Sequence, residues 1–92
     1  MTYTITNYTR ARARALGVQV KPSTRKGKKL DVFKGGKKVA SVGALGYKDF
    51  PTFKRTEGND VANKRRKAYR ARHQGEQLKV GSPGYYAWFL LW

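Results

Sequence analysis

Two short runs of β-prone residues, 30–34 and 37–42, flank a glycine pair and form the clearest local pattern in the chain. Two consecutive glycines suit a tight turn whose residues need positive φ. The pattern therefore predicts a β-hairpin, with an exposed face that carries Lys34, Lys37 and Lys38. Its inward-facing side chains are expected to be Leu30, Val32, Val39 and Val42.

The N-terminal third contains a short alternating segment and a candidate helix. Residues 2–6 alternate threonine with larger side chains, which predicts a short strand. Asn7 is a suitable cap for a helix over residues 8–16 that ends at Gly17. Residues 10–15 alternate Arg with Ala and also fit a strand, but alanine favours the helix.

Two further helices are predicted in the second half of the chain. The first spans about residues 60–74, begins at Asn59 or Asp60, and stops at a glycine. The second begins at Ser82-Pro83 and runs through the aromatic C-terminal segment. This last helix is apolar on every side, so it must be buried from several directions or contact a partner. Residues 43–53 are expected to form a loop rich in glycine and aromatic side chains.

Together these elements predict one small α+β domain over residues 1–92, in which the hairpin packs against one main basic helix. Residues 1–27 would form the N-terminal helix and a flexible basic arm, because Pro and Gly interrupt the segment between residues 18 and 29. Residues 28–92 would form a core of hairpin, loop, main helix and short aromatic C-terminal helix.

The charge changes this picture, because 21 Lys and Arg stand against 5 Asp and Glu, a formal net charge of +16. A folded domain with such an excess repels itself, and a partner that supplies negative charge offsets the repulsion. Hydrophobic residues make up 39% of the chain, which excludes a disordered polycation without core formers. The simplest partner is a nucleic acid, with DNA preferred. An acidic protein or an anionic membrane surface is the alternative.

Three basic segments are the candidate contacts with phosphates. In the predicted helix over residues 60–74, no acid lies four residues from Lys67 or Arg70, so the usual salt bridges within a helix are missing. This favours binding over a merely solvated face, and such contacts position the protein on phosphates rather than on bases. For the arm, a soluble linker or a cluster of the nuclear-import type is a nearly equal alternative. The predicted nucleic-acid-binding residues are Lys64, Arg65, Arg66, Lys67, Arg70, Arg72, Arg10, Arg12, Arg14, Lys26, Lys28 and Lys29.

The aromatic residues have two candidate roles. Tyr47, Phe50 and Phe53 can stack on unpaired bases, although core packing is the stronger expectation in so small a domain. The aromatic residues of the C-terminal segment are also expected in the core first. If their own chain leaves them uncovered, three of these residues are predicted to form a protein interface: Tyr85, Trp88 and Trp92.

Catalytic groups are few. The acids and the single histidine form no recognised metal spacing, and the chain has no cysteine to act as a nucleophile or a thiolate ligand. We therefore expect a non-enzymatic protein without cofactor or metal. A small nuclease that uses His73 with Asp49 or Asp60 is the less favoured alternative.

Neither end of the chain predicts insertion into a membrane. The N-terminus has no charged region followed by an apolar run, so a secretory signal is not expected. The apolar run over residues 85–92 is far shorter than the ~20 residues that a membrane-spanning helix needs.

Residues 28–92 carry several strings in a characteristic order. A Lys-Lys pair precedes a strand, GYKDF follows at 46–50, RRKAYRARH at 65–73, and GYYAW at 84–88 leads to a final LW. In this order they resemble a family of short basic proteins encoded by large double-stranded DNA viruses of algae and amoebae. The resemblance implies a viral context and supplies no catalytic residues.

With that context, the expected function is a virion-associated structural protein, a minor capsid or genome-contacting component found in the virion or infected cell. Its basic surface would bind the nucleic acid backbone, and its apolar anchors would dock on capsid proteins. The alternative is a free, sequence-nonspecific DNA- or RNA-binding accessory protein. A face of residues 85–92 or an N-terminal segment left uncovered in the monomer, together with self-association, would favour the capsid component. A monomer with a closed core would favour the free binder.

Overall fold

A three-stranded antiparallel sheet forms the centre of the structure, a computed structural model that describes residues 4–92. The strands are β1 (Gln19–Pro22), β2 (Lys28–Lys34) and β3 (Lys37–Ala44), paired in that order. The helices are α1 (Asn7–Leu16), α2 (Phe50–Glu57), α3 (Asn59–Arg72) and α4 (Pro83–Leu91), and a 3-10 turn, Glu76–Leu78, precedes α4. The predicted α+β class is confirmed.

The hairpin of β2 and β3 forms where the glycine pair predicts it. Gly35 and Gly36 have φ angles of 61° and 77°, a left-handed region that residues with a Cβ rarely adopt. Lys34 and Lys37 form the last pair of the ladder beside this turn. The local sequence is therefore sufficient to place the turn.

A β-bulge changes which side chains of β3 face inward. Val32 pairs with Ala40, but the next residue, Phe33, pairs with Lys38, so the ladder skips Val39. The side chain of Val39 is 39% exposed and the prediction that it faces inward is wrong, because the bulge turns it out and Ala40 is buried instead. The other three predicted inward residues are buried: Leu30, Val32 and Val42.

The third strand, β1, lies in the segment expected to be a mobile arm. It pairs along its length with β2, from Gln19 opposite Phe33 to Pro22 opposite Leu30. The prediction of a flexible connector is therefore wrong for residues 19–22. The backbone pairing with β2, which sequence patterning did not reveal, holds this segment in the sheet.

The predicted N-terminal helix is confirmed with a different cap. Thr6, rather than Asn7, accepts a hydrogen bond from the backbone N–H of Thr9 at 3.2 Å. Gly17 ends the helix in the left-handed conformation, as expected. The predicted strand over residues 2–6 is not formed in its described part, residues 4–6, and its first two residues lie outside the described residues.

The helix that packs on the sheet is α4, not the basic helix α3. The buried core joins Leu30 and Val42 of the sheet to Leu90 and Leu91 of α4, with Ala13 of α1 at its edge. The predicted packing of the hairpin against the main basic helix is therefore wrong. The apolar helix takes that place because its side chains bury more apolar area than the charged face of α3 offers.

Helix α3 packs mainly against α2, a helix that the sequence patterning did not predict. Asp49 caps α2 by accepting a hydrogen bond from the N–H of Thr52 at 3.1 Å, and Pro51 occupies its first turn. The bounds of α3 lie close to the predicted ones, with Gly58 before it and His73 after it. Helices α2 and α3 thus form a pair set beside α4.

Candidate nucleic-acid interface

A cleft of about 480 Å³ opens where the start of β2 and the end of β3 face helix α3. Four residues of α3 line it: Arg65, Ala68, Tyr69 and Arg72. Their spacing of three and four residues places them on one face of the helix. The cleft therefore presents one face of the basic helix to a ligand.

Stacked rings form the inner wall of the cleft. The rings of Tyr69 and Trp92 are nearly parallel, 6° apart, with centroids separated by 4.4 Å. His73 stacks on Tyr69 at 4.2 Å, and Phe53 lies tilted against Trp92 at 6.2 Å. These contacts join α2, the end of α3 and the end of α4, so they fix the shape of the cleft as well as line it.

Basic side chains surround these rings, and no Asp or Glu of the described residues lines the cleft. Among residues 4–92, Lys28, Arg65 and Arg72 form no ion pair. Lys48 pairs with Glu57 at 3.0 Å, but both side chains are exposed, and such pairs contribute only about 0–1 kcal/mol. The cleft therefore combines an apolar wall with uncompensated positive charge.

Two of these cations lie near the ring of Phe53. The ammonium group of Lys48 is 5.7 Å from the ring centroid, and the guanidinium of Arg65 is 5.6 Å from it. Cation–π contacts at such distances hold charged groups over an aromatic face. Phe53 thus helps to bring positive charge to the mouth of the cleft.

A buried ion pair lies beside the cleft. The ammonium of Lys29 lies 3.1 Å from the carboxylate of Asp49, and both side chains are nearly inaccessible to solvent. Because Asp49 also caps α2, the pair ties β2 to the α2–α3 pair. Lys29, one of the predicted nucleic-acid-binding residues, therefore has a partner inside the protein.

Three of the predicted arginines also have internal contacts. Arg12 donates from Nε to the carbonyl oxygen of Phe89 at 2.8 Å, and Arg70 donates from Nη2 to the main-chain oxygen of Trp92 at 3.2 Å. Arg66 lies over the ring of Phe50 at 4.0 Å. Burial, assisted by the charge of Arg66, lowers the pKa of Arg70. These side chains hold helices together rather than face solvent freely.

The other eight predicted basic residues are less enclosed, and the structure brings three of them together at the cleft. These three are Lys28, Arg65 and Arg72. Two more, Lys64 and Lys67, are exposed elsewhere on α3. The remaining three lie apart from the cleft: Arg10 and Arg14 beside a shallow depression on α1, and Lys26 in the turn between β1 and β2.

The aromatic residues predicted for a protein interface are packed by their own chain. Trp88 is buried, with the guanidinium of Arg70 5.2 Å from its ring. Tyr85 packs against Phe89 at 4.9 Å, and Trp92 belongs to the ring stack of the cleft. The interface role of Tyr85, Trp88 and Trp92 stays a prediction, without an uncovered face on this helix to support it.

Three side chains of this site were not predicted as nucleic-acid contacts from the sequence: Lys48, Tyr69 and His73. The spacing of Arg65, Tyr69 and Arg72 on one helical face was a usable signal for Tyr69. Lys48 reaches the cleft only because the loop before α2 folds back toward α3, which no local pattern indicates.

The residues considered for a nuclease have separate contacts in the structure. Asp49 contacts Lys29 and caps α2, whereas the acid beside His73 is Glu76, with the His73 Nδ1 atom 3.7 Å from its carboxylate. In the part of the chain that the structure describes, no three His, Asp or Glu side chains are grouped closely enough to hold a metal ion.

No protein-family model, curated protein or solved structure matches this chain. Within residues 4–92, none of the helices is both long enough and apolar enough to cross a membrane.

Proposed function

We propose that this protein binds nucleic acid through its phosphates, with the cleft and the adjoining face of α3 as the interface. One observation carries the proposal: Lys28, Arg65 and Arg72 converge on an aromatic cleft that no acid of the described residues lines. In a chain of net charge +16, such a concentration of positive charge raises the energy of the isolated protein. Phosphates placed at the rim offset that repulsion.

The proposed contacts are sequence-nonspecific. Exposed Lys and Arg side chains that contact phosphates fix the position of a strand and carry no base information directly. The proposal is of a binding role rather than a catalytic one. Asp49 and Glu57, two acids near the cleft, are paired with lysines, and a third, Glu76, lies beside His73 without a further acid or histidine grouped with them to hold a metal ion in the described residues.

Within this proposal, the free accessory binder is favoured over the capsid component. Residues Tyr86, Trp88, Leu90 and Leu91 of α4 are buried by the same chain, so the aromatic segment needs no partner to be covered. A closed core is the property expected of a free binder.

A virion-associated structural role is the second candidate, and a different observation favours it. Leu78 and Val80, in the segment before α4, are 78% and 79% exposed. They stand two residues apart in the chain, and exposed apolar residues mark protein contacts where they form a contiguous patch. Light scattering of the protein with and without DNA separates the two candidates, because a structural component self-associates whereas the free binder stays monomeric.

A salt titration of DNA affinity tests the proposed function. Fluorescence anisotropy with labelled duplex and single-stranded DNA is expected to show binding that weakens steeply with salt. If six to ten phosphates are engaged, the logarithm of the association constant falls against log salt with a slope of roughly −5 to −9. Absence of binding at about 50–100 mM salt would contradict the proposal.

A charge-matched pair of variants locates the interface. The double change Arg65→Ala, Arg72→Ala removes two charges from the cleft, and Lys34→Ala, Lys37→Ala removes two from the hairpin turn. The turn lies about 20 Å from Lys28 along β2, given ~3.3 Å per strand residue. The cleft variant is expected to reduce the steepness of the salt slope by about 1.4–1.8, and the turn variant by much less. Equal effects would show that binding is not centred on the cleft.

A further inference from the structure

We propose that the cleft holds one unpaired nucleotide of the bound strand, with its base against the aromatic wall and its phosphates on the basic rim. The inference rests on the proposed function and deepens it, because it names the chemical class that the cleft accepts. Its consequence is a preference for single-stranded over fully paired nucleic acid.

The size and lining of the cleft match a nucleoside phosphate. Its volume of about 480 Å³ lies in the range of small-molecule sites, and such sites combine apolar walls with a few placed polar groups. A base supplies a flat apolar face, and a phosphate supplies negative charge. The cleft offers a counterpart to each: the rings of Phe53 and Trp92, and the cations of Arg65 and Arg72.

Tyr47 is the ring best placed to contact an entering base. Its side chain is 76% exposed although it lines the cleft, whereas Tyr69 and Trp92 already stack on each other. The ammonium of Lys29 donates a hydrogen bond to the backbone oxygen of Tyr47, which anchors the segment that carries the ring. An exposed ring on an anchored segment suits base stacking, which tolerates any base.

The basic rim explains why the base comes from a nucleotide rather than from an uncharged aromatic molecule. Lys28 reaches the cleft from the start of β2, and Arg65 and Arg72 reach it from α3, one on each end of the lining face. The cations therefore flank the aromatic wall, and the phosphates on either side of a stacked base can contact them. Because a paired base is stacked within its duplex, it must first be extruded to enter the cleft, and the lost pairing and stacking disfavour duplex.

The decisive experiment separates base contacts from phosphate contacts. Affinities are measured at one salt concentration for an oligothymidylate of about 16 nucleotides and for an abasic strand of the same length and charge. Stacking of one base predicts that the oligothymidylate binds about 5- to 160-fold more tightly. The matching duplex is expected to bind more weakly than the oligothymidylate.

Variants of Tyr47 test whether the preference for the oligothymidylate over the abasic strand arises in the cleft. Because this ring is exposed, its replacement is expected to leave the fold intact. Tyr47→Ala is expected to lower the ratio between oligothymidylate and abasic affinities by at least threefold, and Tyr47→Phe to retain it, because the ring is kept. Val39→Ala is the control, since Val39 is also an exposed apolar residue and lies outside the cleft. Its ratio is expected to equal that of the unchanged protein.

The outcomes distinguish this inference from the proposed function. Equal affinity for the oligothymidylate and the abasic strand, with a steep salt dependence for both, would overturn the inference and leave phosphate binding intact. No binding to either would overturn both. Competition by thymidine monophosphate identifies the source: displacement at micromolar concentration indicates a free nucleotide, and displacement only at millimolar concentration indicates a nucleotide within a strand.

Discussion

Helices α3 and α4 lie side by side at the cleft and have opposite characters. Of the nine residues of α4, Tyr86, Trp88, Leu90 and Leu91 are buried, and the helix contacts the sheet and α1. Of the fourteen residues of α3, Ala62 is the buried one, and six are Lys or Arg. Stability therefore depends mainly on α4, and the charge available for binding lies mainly on α3.

The comparison shows that charge in the sequence does not by itself identify a binding residue. Arg70 and Arg72 are two positions apart on α3, but Arg70 donates a hydrogen bond to the main-chain oxygen of Trp92, whereas Arg72 lines the cleft. Arg12 of α1 likewise holds α4 through Phe89. Two arginines therefore attach the apolar helix to its neighbours, and their removal affects folding rather than binding.

The strongest test of the division between the two helices is Leu90→Ala in α4. Leu90 is fully buried, and its carbonyl oxygen accepts a hydrogen bond from the hydroxyl of Thr9 at 2.8 Å. The cavity left by truncation is expected to lower the free energy of unfolding by about 2–5 kcal/mol in urea denaturation. The control, Lys67→Ala in α3, is expected to change it by less than about 0.5 kcal/mol. Similar effects of the two changes would contradict the division.

The contact between α4 and the sheet is tested by Gly43→Ala. Gly43 has a φ of 81°, and a Cβ at this position would lie 2.8 Å from the Cδ1 atom of Leu91. The control, Gly46→Ala, has a similar φ of 91° with no atom within 4 Å of the added Cβ. Backbone strain is common to both, so overpacking is expected to make Gly43→Ala about 1–3 kcal/mol more destabilising than Gly46→Ala. If the two variants lose the same free energy of unfolding in thermal or urea denaturation, α4 accommodates the added methyl group without cost.

The two neighbouring arginines of α3 give a smaller effect that separates folding from binding. Arg70→Ala removes a hydrogen bond at the end of α4 and is expected to lower the free energy of unfolding by about 1–3 kcal/mol. Arg72→Ala is expected to leave stability within about 0.5 kcal/mol and to weaken DNA binding. Denaturation and anisotropy are measured on both variants. The reverse pattern would show that Arg70 is a binding residue.

The smallest effect concerns Asp31 in β2, the central strand of the sheet, where it pairs with Lys21 of β1 and Ser41 of β3. Burial by itself raises the pKa of this carboxyl, but hydrogen bonds donated by the hydroxyls of Ser23 and Ser41 and by the N–H of Thr24 outweigh it and lower the pKa below 3.8. The stabilisation is therefore present above about pH 4 and lost as the pH falls through the lowered value. Asp31→Asn is expected to flatten the stability profile below about pH 4, and an unchanged profile would contradict this.

Local signals in the sequence were sufficient for the elements that depend on turns and caps. The glycine pair predicts the hairpin, and Ser82-Pro83 predicts the start of α4. Strand β1 was missed because it depends on pairing with a distant strand, β2. Helix α2 was missed although its cap, Asp49, and the proline of its first turn are local signals, because the glycine and aromatic residues of 43–53 favour a loop.

The sequence predicts the chemistry of the candidate site but not which residues form it. Net charge identifies the class of ligand, and helical spacing places Arg65 and Arg72 together. Neither shows that Lys29, Arg66 and Arg70 have internal partners, because the carboxylate, ring and carbonyl that they contact belong to other elements. Burial of a basic residue follows from the tertiary packing of its helix, not from its neighbours in the chain.

The most direct test of the account is an NMR titration with oligothymidylate that follows the backbone amides and the two indole N–H signals. Binding in the cleft predicts the largest shifts around Lys28, at residues 43–48 and 65–73, and at the indole of Trp92, with little change at the buried indole of Trp88 or at the hairpin turn. Largest shifts at the hairpin turn or along α1, with the Trp92 signal unmoved, would contradict the assignment of the cleft as the nucleic-acid interface.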